Sequence, residues 1–126
     1  MSAKEKTILI VDDELEISEM FSEMLTLHGY QVRSSHHYRN AIESINTSPP
    51  DAIILDVMMP EKSGLEVLNF VRAHPDYSDI PVIIVSSKGF PVDIEAYVSA
   101  GANHYLKKPV SFPDFTEAVQ KALQTN

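Results

Sequence analysis

Residues 52–60 read Ala52-Ile53-Ile54-Leu55-Asp56-Val57-Met58-Met59-Pro60. The apolar run is too short for a helix, and it is bounded by Pro49-Pro50 before it and Pro60 after it. Such a run spells a strand buried on both faces. It ends in a carboxylate, Asp56. A second apolar run, Thr7 to Val11, also ends in acid, at Asp12-Asp13. Packing gives no reason for two buried strands to finish in aspartate, because an acid taken out of water needs a compensating partner. Open parallel α/β sheets do give a reason. Their ligand sites lie at the carboxyl ends of strands, near the point where strand order reverses. The acid-tipped strands therefore predict a metal site and phosphate chemistry at one sheet edge.

Outward from this stretch, apolar strands alternate with helical patterns, which predicts a parallel sheet covered by helices on both faces. After the first strand, Ile17, Met20, Phe21, Met24 and Leu25 recur at helical spacing, and Gly29 supplies a stop. Residues 31–35 form a short second strand. A modest helix over 37–47 carries Ala41, Ile42 and Ile45. Ser63 is placed to cap the next helix, with Glu66 completing a capping box and Leu65, Leu68 and Val71 on one face. Pro75 ends that helix. Residues 80–85 make the fourth strand and deliver Ser86 to the same edge as the acids. A fourth helix over 93–100 stops at Gly101, and 103–106 form the fifth strand, followed by the turn Lys107-Lys108-Pro109. Ser111 caps a last helix with Phe112, Phe115 and Val119 inward, and Pro113 in its first turn, where a missing amide hydrogen costs little. The expectation is a doubly wound α/β fold of five parallel strands and five helices. Residues 1–126 read as one domain with no linker, repeat or output domain.

Composition narrows the chemistry. A chain of 126 residues suits one domain with a real core. Its net charge of -8 disfavours nucleic acid or an anionic membrane as a partner. The absence of cysteine excludes disulfides, zinc-thiolate sites and cysteine nucleophiles. No apolar stretch approaches the ~20 residues that span a bilayer, and Met1 to Lys6 lacks the apolar core of a signal peptide, so a cytoplasmic location is expected. His36 and His37 are adjacent, so their side chains point to different faces and read as a surface pair. The histidines have no local spacing suited to zinc. Met20, Met24, Met58 and Met59 read as core or loop packing. Neither common Gly-rich phosphate loop is present, which argues against nucleotide binding.

The strand ends bring together Asp12 and Asp13, Asp56, Ser86 and Lys108. Each has an ordinary reading alone: a helix cap, a strand-end hydroxyl, a solvated lysine. Jointly they suit phosphoryl chemistry. Carboxylates at adjacent strand ends fit Mg²⁺, which takes oxygen ligands and keeps several waters. A carboxylate can also attack phosphorus to give an aspartyl phosphate. A metal, a lysine and a hydroxyl donor are what stabilise the transferred group.

These runs resemble a known family. Ile10-Val11-Asp12-Asp13-Glu14, Asp56-Val57-Met58-Met59-Pro60, Val85-Ser86 and Gly101-Ala102-Asn103-His104-Tyr105-Leu106-Lys107-Lys108-Pro109, in this order, are similar to the receiver domain of two-component response regulators, notably the single-domain chemotaxis type. The resemblance implies the flavodoxin-like strand order 2-1-3-4-5. It implies that Asp56 accepts a phosphoryl group from a sensor histidine kinase or a histidine phosphotransfer protein. Asp13, Asp56 and the main-chain carbonyl of Met58 would ligate Mg²⁺, with Asp12 acting largely through water. Lys108 and Ser86 would hold the phosphoryl oxygens, Tyr105 would be the aromatic switch, and the Lys108-Pro109 bond would be cis. A signalling module rather than an enzyme follows, controlling a downstream protein effector, with relay intermediate and phosphate sink as alternatives.

Two positions depart from the family pattern. His104 stands where an acid is usual, and the basic residue that pairs with that acid in dimerising members is replaced by Ala118, which favours a monomer. Lys62 and Lys88 are candidates for tuning phosphate lifetime. A haloacid-dehalogenase-like phosphatase would use the same aspartate, Mg²⁺, hydroxyl and lysine. It would also need a second aspartate as general acid two residues on, where this chain has Met58.

Overall fold

The computed structural model describes residues 6–12, 14–56, 63–86 and 91–124. Asp13, Met58, Lys62 and Lys88 lie outside them, as does the Ser63 side chain with its capping box. The elements are β1 (Thr7–Val11), α1 (Leu15–Leu27), β2 (Gln31–Ser35), α2 (Tyr38–Thr47), β3 (Ala52–Asp56), α3 (Ser63–Ala73), β4 (Val82–Ser86), α4 (Pro91–Ser99), β5 (His104–Lys107) and α5 (Phe112–Gln124). All pairings are parallel, in the order β2-β1-β3-β4-β5. The expected fold and strand order are both present.

Side-chain alternation along the strands divides the core in two. Leu9, Val11, Ile53, Leu55, Val82 and Ile84 face α2 and α3, where Ala41, Ile45, Leu68 and Val71 are buried. Ile8, Ile10, Ile54, Ile83 and Val85 face α1 and α5, where Phe21, Met24, Leu25, Phe115 and Val119 are buried. Phe21 and Phe115 stack with ring centres 4.4 Å apart, joining the first and last helices. Strands buried on both faces are why these segments read as continuous apolar runs rather than alternating ones.

Helix ends follow their local chemistry. Gly29 has φ +91°; its N–H donates to Thr26 O, while the Tyr30 N–H reaches Leu25 O. Gly101 has φ +111° and closes α4 by the same paired bonds, to Val98 O from its own N–H and to Tyr97 O from Ala102. Both are Schellman caps, which only glycine adopts without strain. Ser111 Oγ accepts from the Asp114 N–H at 3.2 Å, the expected cap of α5.

Some expectations shift. Phe112 is 54% exposed, because α5 meets the sheet only from Phe115 onwards. Met20 is 41% exposed at the edge of the α1 stripe, outside the core. β4 begins at Val82 rather than Ile80, since the Ile80 carbonyl accepts from Arg72 and Pro81 has no N–H to give a ladder. α4 begins at Pro91, and β5 runs one residue later than the pattern suggested, because the Asn103 side chain is turned to the sheet end.

Arg72 holds that end together. Its Nε donates to Gly101 O at 2.9 Å, Nη1 to Ile80 O at 2.7 Å and Ser78 O at 3.1 Å, and Nη2 to Asn103 Oδ1 at 2.8 Å. The same Asn103 oxygen accepts from the Val82 N–H. One guanidinium thus fixes the end of α4 and the starts of β4 and β5. Arg72→Met keeps the stem and removes the donors, so it should lower unfolding free energy by about 2 kcal/mol, read as a lower urea midpoint with unchanged slope.

Candidate functional site

The order β2-β1-β3 places the reversal of strand order between β1 and β3, and the crevice there opens at their carboxyl ends. Val11 pairs with Leu55 and Asp56 with Val85, so Asp12 and Asp56 leave adjacent strands at one level. Ser86 pairs with Lys107, which delivers Lys108 to the same edge. The Lys108 N–H donates to Ser86 O at 2.7 Å, and the Lys108-Pro109 peptide is cis, as expected.

The Lys108 ammonium stands over the acids. Its Nζ lies 3.3 Å from Asp56 Oδ2, 3.4 Å from Glu14 Oε1 and 3.7 Å from Asp12 Oδ2. Asp12 and Asp56 are each only 2% exposed, while Glu14 is 60% exposed at the mouth. One carboxylate oxygen from each of Asp12, Glu14 and Asp56 falls within 4.8 Å of the others. A single ammonium cannot neutralise all of these carboxylates. Burial, foremost, pushes the Asp12 carboxyl up from 3.8 to about 7, and the neighbouring Asp56 charge adds to it. The Glu14 N–H, donated to Asp12 Oδ1 at 2.9 Å, and the Lys108 charge pull the other way. For Lys108, burial disfavours the ammonium, but the Asp56 and Asp12 carboxylates outweigh it and the net shift is upward. An all-oxygen donor set with surplus negative charge, partly closed and partly open to water, fits a hard divalent cation.

Among the sequence-derived candidates, Asp12, Asp56 and Lys108 form one contact set. Ser86 is fully buried at the end of β4, tied through its carbonyl to Lys108. Tyr105 is half-buried against the α3-side core, its ring centre 6.2 Å from that of Tyr97.

Two residues were not assigned roles from sequence. Glu14 appears there only as part of an acidic run, but its position just before α1 turns it to the sheet edge. His36, read as half of an exposed pair, is exposed, yet its Nδ1 lies 2.8 Å from the main-chain oxygen of Asp12. His37 caps α2 instead, accepting from the Arg39 N–H at 3.3 Å. Spacing could not separate these roles, because they depend on how β2 registers against β1.

The sequence matches the model of the response regulator receiver domain family over residues 8–120. It is 34% identical over 117 residues to the response regulator MprA of Mycobacterium ulcerans, covering 93% of this chain and 50% of that protein. The chain thus spans about half the length of the curated relatives it matches. A candidate response regulator of Chloroflexus aurantiacus superposes with a TM-score of 0.91 at 34% identity, over 96% of this chain and 99% of that one. The chemotaxis protein CheY4 of Vibrio cholerae gives 0.89 at 28% identity, over 95% and 100%. Among the described residues, no helix is long and apolar enough to cross a membrane.

The Asp12 shift has a consequence for stability. The folded state holds this proton more tightly than the unfolded chain. In metal-free protein its contribution is therefore intact below the ordinary 3.8 and lost progressively as pH rises to about 7. The thermal midpoint in chelator should fall between about pH 4 and about pH 7, and Asp12→Asn should flatten that fall.

Proposed function

The chain belongs to the response regulator receiver family of two-component signalling, and we propose that Asp56 is its phosphoryl acceptor. The observation that carries this is the buried Asp56 carboxylate, 3.3 Å from Lys108 and beside Asp12 at the strand-order reversal. An Asp56 oxygen attacks the phosphorus of a phosphohistidine on a sensor kinase or phosphotransfer protein. The P–N bond breaks, its electron pair stays on the imidazole nitrogen, and that nitrogen takes up a proton.

Phosphorylation removes the Asp56 charge and places phosphoryl oxygens at the same edge, carrying between one and two negative charges. Lys108 is then drawn from Asp56 towards those oxygens, and the Ser86 hydroxyl donates to one of them. Asp12, Asp13, Asp56 and the Met58 carbonyl would hold Mg²⁺, which when bound neutralises charge on the equatorial oxygens of the transferred group. The Ser86 movement biases a pre-existing equilibrium in the loop after β4 and in the Tyr105 rotamer. A downstream protein effector reads the change on α4, β5 and α5.

The protein therefore acts as a signalling module that catalyses its own phosphorylation and dephosphorylation, in the cytoplasm where ATP-dependent histidine kinases supply the phosphoryl group. Met58 offers no proton where a dehalogenase-type phosphatase needs its general acid, so turnover of outside phosphate esters is not expected. Ala118 is buried in the α5 face and carries no charge to pair across a dimer, which supports a monomer.

Incubation with acetyl phosphate should add one phosphoryl group to the intact mass in Mg²⁺, and none in chelator or in Asp56→Asn. No gain in the wild type from either acetyl phosphate or a phosphohistidine donor would refute the assignment. Ser86→Ala should still be phosphorylated. Losing one charge-assisted hydrogen bond, it should lose about tenfold or more of the phosphorylation-dependent gain in effector affinity.

A further inference from the structure

The β1–β2 ladder ends one bond short of where its geometry would carry it. Val11 pairs with Ser35, and the Asp12 N–H donates to Ser35 O at 3.0 Å. In a parallel ladder, the next bond would run from the main-chain N–H of residue 37 to the Asp12 carbonyl. The chain instead turns at His37, which is already the N-cap of α2 with φ -151° and its carbonyl committed to the Ala41 N–H. The Asp12 carbonyl is thereby left without a ladder donor. The His36 ring supplies one, with Nδ1 2.8 Å from that oxygen. A carbonyl only accepts, so the Nδ1 of His36 carries the hydrogen.

We propose that His36 is a positioning residue for the acid site. Its imidazole completes the β1–β2 ladder and fixes the main-chain group through which β1 leads into the second acid, Asp13. The inference rests on the receiver reading of the site given above. Three bonds then define Asp12: its N–H to Ser35 O, its carbonyl from His36, and its Oδ1 from the Glu14 N–H at 2.9 Å. The Glu14 bond spans only the local turn, and the Ser35 bond lies on the strand side. The His36 bond ties the Asp12 carbonyl, on the exit side of that residue, to the end of β2. Without it, the carbonyl turns to water and the peptide that follows Asp12 gains a soft degree of freedom. The carboxylates that meet a divalent cation are then no longer held at one spacing, and loss of such outer supports weakens metal binding.

The role follows from geometry and not from charge, so it persists where the imidazole is neutral. It also predicts which replacement suffices. Asparagine carries its amide nitrogen on Cγ, the same atom that bears Nδ1 in histidine, so it can donate to the same oxygen. Alanine cannot.

The test is Mg²⁺ titration by calorimetry at about pH 8, where histidine is ordinarily neutral, on wild type, His36→Asn and His36→Ala. The expected result is a dissociation constant raised about tenfold in His36→Ala, the low end for loss of an outer-shell partner, and close to wild type in His36→Asn. Autophosphorylation from acetyl phosphate should show the same split: the Mg²⁺ concentration for half-maximal rate rises in His36→Ala, while the rate at saturating Mg²⁺ is retained. Wild-type affinity in both variants would overturn the positioning role and leave the receiver reading intact. Equal weakening in both would overturn it too, since the donor would then not be what matters. A wild-type protein with no saturable Mg²⁺ binding would overturn it together with the metal reading beneath it.

Discussion

The ammonium of Lys108, set among the carboxylates of Asp12, Asp56 and Glu14, is the interaction on which the arrangement of this molecule turns. Burying like charges side by side is unfavourable unless an opposite charge and hydrogen bonds accompany them. Here the opposite charge comes from the far end of the chain: Lys108 and Asp56 are 52 positions apart, and Lys108 and Glu14 are 94 apart. The contact therefore exists only when β1, β3 and β5 are all in place. Burial, with the Asp56 charge adding to it, still pushes the Asp12 carboxyl up. Such a set of oxygen donors suits a hard cation.

The two ends of the sheet are built differently. At the carboxyl edge, charged groups meet one another and water. At the opposite edge, Arg72 meets main-chain carbonyls and one amide oxygen, each a satisfied acceptor with no rival charge in the set. β4 and β5 run from this fixed end to the electrostatically strained one. The apolar core lies between these two ends. That core is rigid because both of its halves are closed by helices, down to the stacked rings of Phe21 and Phe115.

Legibility followed the range of the interactions. Strands whose neighbours on both faces are apolar stood out as short apolar runs, so β1 and β3 were placed to the residue. Glycine and serine signals marked helix ends because caps are made within a few residues. Boundaries slipped where a distant group claimed a backbone atom: Arg72 takes the Ile80 carbonyl, and β4 starts two residues late. Phe112 had the right spacing for the α5 core face but the wrong place along the sheet. A periodic pattern specifies a face of a helix, not where that face begins to meet its neighbour.

The sequence by itself determined the alternation of strands and helices, the acid at the ends of β1 and β3, and the identity of Ser86 and Lys108 as the groups that would accompany them. These are local facts, written in apolar runs, turn residues and strand-end chemistry. Only the tertiary structure decided that Glu14 joins Asp12 and Asp56 under one ammonium, that His36 and not His37 donates to the Asp12 carbonyl, and that Arg72 pins the opposite edge. Each of these depends on strand register and on contacts between residues far apart in the chain. Neither periodicity nor spacing encodes such contacts, because they arise only when separate elements pack to a common level.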